Sequence, residues 1–142
     1  MPSDEPVPGT THHWLARAEG HLAMARQPKP PEGFWEDLAF HAQQAAEFAL
    51  KAVYQHRSIP FRFTHSVEEL GSGLEVAGES IPAAVRNAVV LTRYAVHARY
   101  PGAGFPVSRR EYESAVQLAT AVVAWARDLV RAGNNSERQP RP

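Results

Sequence analysis

At 142 residues, 44% of them hydrophobic, the chain is long enough for one domain with its own core and too short for two. It has no cysteine, which excludes disulfides, thiolate metal sites and cysteine nucleophiles together. Fifteen basic and fifteen acidic residues cancel, so net charge gives no global reason to expect nucleic acid.

The opening MPSDEPVPGT is acidic and proline-rich without an apolar centre, unlike a signal peptide or an anchor. No apolar run approaches the roughly 18 residues of a membrane span, so the expectation is a soluble cytoplasmic protein with no membrane partner. Residues 1–10 read as a disordered arm, since Pro2, Pro6, Pro8 and Gly9 break regular structure. A first helix starts at Thr10 or Thr11, either of which can cap it, buries Trp14, Leu15, Ala18, Leu22 and Ala25, and stops by Pro28. The stiff connection Gln27 to Gly33 makes the next helix an antiparallel neighbour.

That second helix, about Phe34 to Arg57, is the centre of the pattern. Leu38, Ala42, Ala45, Ala46, Ala49, Leu50 and Val53 recur at three- and four-residue intervals and form one buried stripe. Alanine along it lets a neighbouring helix approach closely. Gln44, Glu47 and Lys51 fall on an adjoining face, with Glu47 and Lys51 in the favourable order for a helical ion pair. Ser58 to Thr64 is a loop whose Ile59, Phe61 and Phe63 should fold back over the core. Ser66 with Glu69 is a capping box that opens a short third helix, Val67 to about Gly71 or slightly beyond.

A fourth helix runs from Ser80 to about Ala98, with Pro82 in its first turn and Val85, Ala88, Val89, Thr92 and Val96 buried. Arg86, Arg93 and His97 project from another side, because steps of seven and four residues are close to whole turns. RYPGAGFP, from Arg99 to Pro106, is a loop. Ser108 with Glu111 is a second capping box. It opens a last helix, about Arg109 to Ala132, with the stripe Tyr112, Ala115, Val116, Ala119, Val122, Val123, Ala126, Leu129 and Val130. Gly133-Asn134-Asn135 should stop it, leaving residues 133–142 as a flexible tail. The fold class is all-α: an up-and-down bundle of four long helices and one short one over residues 11–132.

Charge is unevenly spread. No Asp or Glu occurs from Ser80 to Arg110, whereas Arg86, Arg93, Arg99, Arg109, Arg110 and His97 do; just before lie Glu68, Glu69, Glu75 and Glu79 without a Lys or Arg among them. Two readings stand side by side: ion pairs between neighbouring helices, or an anion site on Arg86, Arg93, His97, Arg99 and Tyr100. The histidines lack the inward Glu-x-x-His pairs of bundle metal sites, and Gly102-Ala103-Gly104 lacks the Gly-Lys-Ser/Thr ending of a phosphate loop. Neither a metal nor another cofactor is expected.

Gln44-Ala45-Ala46-Glu47, Leu50-Lys51, Thr64-His65-Ser66 with Leu70, and Arg99-Tyr100-Pro101 together resemble the prokaryotic HEPN domain, over about residues 12 to 131. The family motif positions are then Gln44, Glu47, Lys51 and His65. The resemblance implies a homodimer, often encoded beside a minimal nucleotidyltransferase in a toxin-antitoxin or nucleotide-handling pair, and a module that binds a nucleotide or RNA phosphate. It also implies a rival, a metal-independent ribonuclease in which a histidine moves the 2′-hydroxyl proton and an arginine holds the phosphate's charge. Arg93 and His97 match that pair with one intervening residue fewer than the family pattern. A pure protein-interaction module is the third reading.

Overall fold

Helix α2, Trp35–His56, runs through the middle of the molecule in the computed structural model, which describes residues 6–61, 63–99 and 106–138, with side chains up to residues 95 and 134 in the last two stretches. Around it lie α1 (Thr11–Ala25), α3 (Val67–Val76), α4 (Ala83–Arg86), a 3-10 segment (Asn87–Leu91), α5 (Thr92–Arg99) and α6 (Arg109–Arg138). Among the described residues every regular element is helical, so the all-α expectation stands. Among the described residues no helix is long and apolar enough to cross a membrane.

The alanine stripe of α2 is the contact surface for both long neighbours. Ala42, Ala45, Ala46, Ala49, Leu50 and Val53 are fully buried, as are Ala39 and Ala52, and both α1 and α6 pack along the helix. From α1 come Ala18, Leu22 and Ala25, and from α6 Ala115, Ala119, Val122, Val123, Ala126 and Val130. Trp14 and Leu15 on α1, and Tyr112, Val116 and Leu129 on α6, close the edges of this core half-buried.

The expected caps are present. Thr10 Oγ1 accepts from the His13 N–H and Ser66 Oγ from the Glu69 N–H. Ser108 and Glu111 form a reciprocal box: the Glu111 N–H donates to Ser108 Oγ at 3.1 Å and the Ser108 N–H to Glu111 Oε1 at 3.5 Å. Of the arm expected over residues 1–10, positions 7 to 10 form a turn in which Thr10 Oγ1 donates to the Val7 carbonyl at 2.7 Å. Residues 1–5 lie outside the described residues.

Besides α3, which runs past Gly71 as far as Val76, two helix boundaries differ from the sequence reading. The fourth helix is not one rod, because burial after Pro82 falls on Val85, Ala88, Leu91 and Tyr94, a three-residue period, before Ala95 joins it in α5. Side chains three apart eclipse only in a 3-10 turn, so the chain tightens over Asn87–Leu91 before resuming as α5. Val89, expected inside, is exposed with Val90. The second difference is that Gly133 does not end α6, which continues to Arg138. A side chain at Gly133 would overlap the His56 ring, so this glycine makes room for the end of α2. The positions expected as a tail, 133–142, are thus helical as far as 138, and residues 139–142 lie outside the described residues.

The loop after α2 is split. Ile59 and Phe61 fold onto the core as expected, whereas Phe63 is 90% exposed.

Candidate functional site

The second half of α2 is buried almost all round, and it carries three charged or amide side chains inward. Gln43 and Glu47 are fully buried and Lys51 nearly so. Lys51 Nζ donates to Glu47 Oε2 at 3.0 Å and Gln43 Nε2 to Glu47 Oε1 at 3.1 Å. The ring of His65, in the loop before α3, completes the carboxylate's shell, with Nδ1 at 3.2 and 3.4 Å from its two oxygens. Gln43 Nε2 also donates to the His65 carbonyl at 2.9 Å. His65 is therefore gripped at backbone and ring, and the loop is tied to the helix by a polar cluster centred on the Glu47 carboxylate.

The helical ion pair expected on the face adjoining the alanine stripe is therefore an interior one. Its amide partner is Gln43, which the sequence reading passes over. Gln44 does not join: its side-chain oxygen, like that of Gln43, is buried without a hydrogen-bond partner. One residue decides this, since position 43 is four before Glu47 and follows it around the helix, whereas position 44 is turned about 100° further.

Aromatic rings surround the Lys51 ammonium. Trp14, Phe48 and Phe63 lie with ring centroids 5.6 to 5.8 Å from Nζ, within cation–π range. Phe48 continues outward onto the α1–α2 surface, where it meets His21 edge to face and has the Arg17 guanidinium over its ring. There His21 and His41 stack with their Nδ1 atoms 3.1 Å apart. Burial lowers the pKa of both; His41 and Arg17 lower that of His21 further against Glu47, and Asp37 opposes the lowering at His41. No local pattern marks this pair, because it spans two helices.

The basic stretch is partly resolved into ion pairs. Arg86 Nε meets Glu75 Oε1 at 3.2 Å, Arg109 meets Glu113, and Arg57, outside the stretch, meets Glu79. Arg93 donates to Glu111 Oε2 at 2.7 Å and to the Tyr94 hydroxyl at 2.9 Å, and the Tyr94 contact foremost raises its pKa above the ordinary arginine value. Arg86 and Arg93 do not share a face. The 3-10 segment between them turns about 120° per residue rather than 100°, so Arg86 turns toward α3 and Arg93 toward α6. His97 stands four residues after Arg93 on α5, and Arg99 ends that helix; their side chains, and Tyr100 entirely, lie outside the described residues. Among the described residues no cluster of three or more His, Asp or Glu could hold a metal ion.

The HEPN domain family matches this sequence over residues 11–129. The chain belongs to the HEPN domain family. Among solved structures, TT1696 from Thermus thermophilus is 29% identical with a TM-score of 0.69, covering 83% of this HEPN chain and 96% of its own. ST0689, an archaeal HEPN homologue, is 24% identical with a TM-score of 0.66, covering 85% of this chain and 98% of its own; that likeness is one of fold. No curated protein matches. The HEPN resemblance read from Gln44 to Lys51, from Thr64 to Leu70 and at Arg99-Tyr100-Pro101 is thus established, and its Glu47, Lys51 and His65 positions meet in one cluster.

Proposed function

We propose that this HEPN protein binds the phosphate of a nucleotide or of RNA through α5, and works as a homodimer beside a minimal nucleotidyltransferase in a toxin-antitoxin-like or nucleotide-handling pair, without cutting RNA itself. The observation that carries the reading is the state of Arg93. Its side chain is 52% exposed, and its guanidinium is held by Tyr94 and Glu111. The helix that orients it also carries His97 and Arg99.

An exposed ion pair of this kind contributes about 0 to 1 kcal/mol, so a phosphate, offering bidentate acceptors and more charge, can displace Glu111 from a guanidinium that is already oriented. The same contacts speak against catalysis, since Arg93 is engaged by two groups and the helical step to His97 is short of the family's ribonuclease pattern.

Fluorescence anisotropy with a labelled single-stranded RNA and with ATP, across a salt series, tests the reading. Binding at low ionic strength that falls steeply with salt is expected. Arg93→Ala should weaken it and Arg131→Ala should leave it alone. RNA shortened by the wild type and spared by His97→Ala would replace this reading with the ribonuclease. Light scattering tests the homodimer, and a monomer at micromolar concentration would remove that part.

A further inference from the structure

Phe63 and His65 lie outside the phosphate reading. Phe63 is 90% exposed, although a ring of that size is normally buried. It is nevertheless placed, with its ring 5.5 Å from that of His65 at 75° and near the Lys51 ammonium. His65 is 35% exposed at its side chain, and its two grips fix the ring. A carboxylate can only accept, so Nδ1 carries the proton toward Glu47. In the neutral ring Nε2 is then a bare acceptor, and no described residue meets it.

An open aromatic face beside an oriented acceptor suits a ligand with a planar ring and a hydroxyl. We infer that Phe63 and His65 form a ribonucleotide subsite in which the base stacks on Phe63 and the ribose 2′-hydroxyl donates to His65 Nε2. The inference rests on the nucleotide or RNA reading above and adds where the sugar and base go. Bases of single strands stack on exposed aromatic rings whatever their sequence, and the 2′-hydroxyl is the group by which RNA is told from DNA. The two sites are neighbours. The Glu68 N–H donates to Thr92 Oγ1 at 3.4 Å, which joins the first turn of α3, just after His65, to the residue before Arg93. Chain geometry then keeps His65 within roughly 20 Å of Arg93, the reach of a short oligonucleotide.

The test is a titration of the full-length, ¹⁵N-labelled protein with a uridine tetranucleotide and with uridine monophosphate, reading the histidine ring nitrogens by NMR and the affinity by anisotropy. The His65 Nε2 resonance should move on binding. Phe63→Ala, which removes an exposed ring and leaves the core intact, should weaken RNA binding about fivefold or more. His65→Gln should weaken RNA but not DNA of the same length, so that the preference for RNA is lost. If RNA binds with unchanged affinity in both variants and His65 does not move, while Arg93→Ala binds poorly, the subsite is wrong and the phosphate reading stands. If the wild type binds neither RNA nor the mononucleotide, both are overturned. Loss in Phe63→Ala and His65→Gln with Arg93→Ala unaffected upholds the subsite and moves the phosphate contact away from Arg93.

Discussion

Lys51 Nζ lies 3.0 Å from Glu47 Oε2 with both side chains almost wholly removed from solvent. On an exposed helix such a pair contributes a few tenths of a kcal/mol. Inside, the attraction has to offset the desolvation of two ions, and it does so here with Gln43 and His65 filling the remaining acceptor sites.

Removing one partner is therefore expected to be costly. Lys51→Met leaves Glu47 buried without its cation and should lose about 3 to 5 kcal/mol, whereas Lys51→Met combined with Glu47→Gln should recover much of it. Urea unfolding of the two variants decides the point. Equal losses in the single and double variants would mean that Lys51 matters for its packing among the aromatic rings and not for its charge.

Two glycines of α3 should respond in opposite directions to alanine. A methyl group at Gly73 would overlap the Tyr54 hydroxyl, which is held to the Leu70 carbonyl at 2.7 Å, so Gly73→Ala should cost about 1 to 3 kcal/mol. At Gly71 nothing lies within 4 Å of an added Cβ, and Gly71→Ala should gain about 0.5 to 1 kcal/mol. Thermal melts of the pair check it; a shift of the same sign in both would show that α3 is free to move away from α2.

The stacked histidines predict a pH dependence. Burial holds both below the ordinary value of 6.5, so the folded protein keeps them neutral while the unfolded chain takes up protons first as pH falls. Their contribution is fully present above about pH 6.5, declines as pH drops from there toward the folded-state pKa values, and is flat below them. Unfolding free energies at about pH 7.5 and 5.5, above most carboxylate titration, should show lower stability at the acid end. His41→Gln should flatten the difference, and an unchanged slope in that variant would place its origin elsewhere.

Arg93→Ala should change stability by less than about 1 kcal/mol, because its ion pair with Glu111 is about half-exposed. Any larger loss in a urea titration would mark Arg93 as a structural residue and weaken its assignment to phosphate.

Local periodicity and residue type carry one part of this fold. The alanine stripe of α2 and the apolar stripes of α1 and α6 face the core as read, with Leu38, Trp14, Leu15, Tyr112, Val116 and Leu129 half-buried, and the caps at Thr10, Ser66 and Ser108 sit where the residue types require, because such preferences act within one turn of helix. The stretch after Pro82 reads as one continuous helix, and its break into α4, a 3-10 turn and α5 came only with the structure. Other features needed the tertiary structure. Gly133 reads as a stop until His56, from the far end of α2, is seen to occupy the space beside it. Glu47 and Lys51 read as a helical ion pair beside the alanine stripe, and only the fold shows the His65 loop and Trp14 covering them. The arginines of the acid-free stretch read as one patch until a 3-10 turn sends Arg86 to Glu75 and Arg93 to Glu111. In each case the deciding partner lies on another element, so its distance is set by how the helices pack, and no local pattern carries that information.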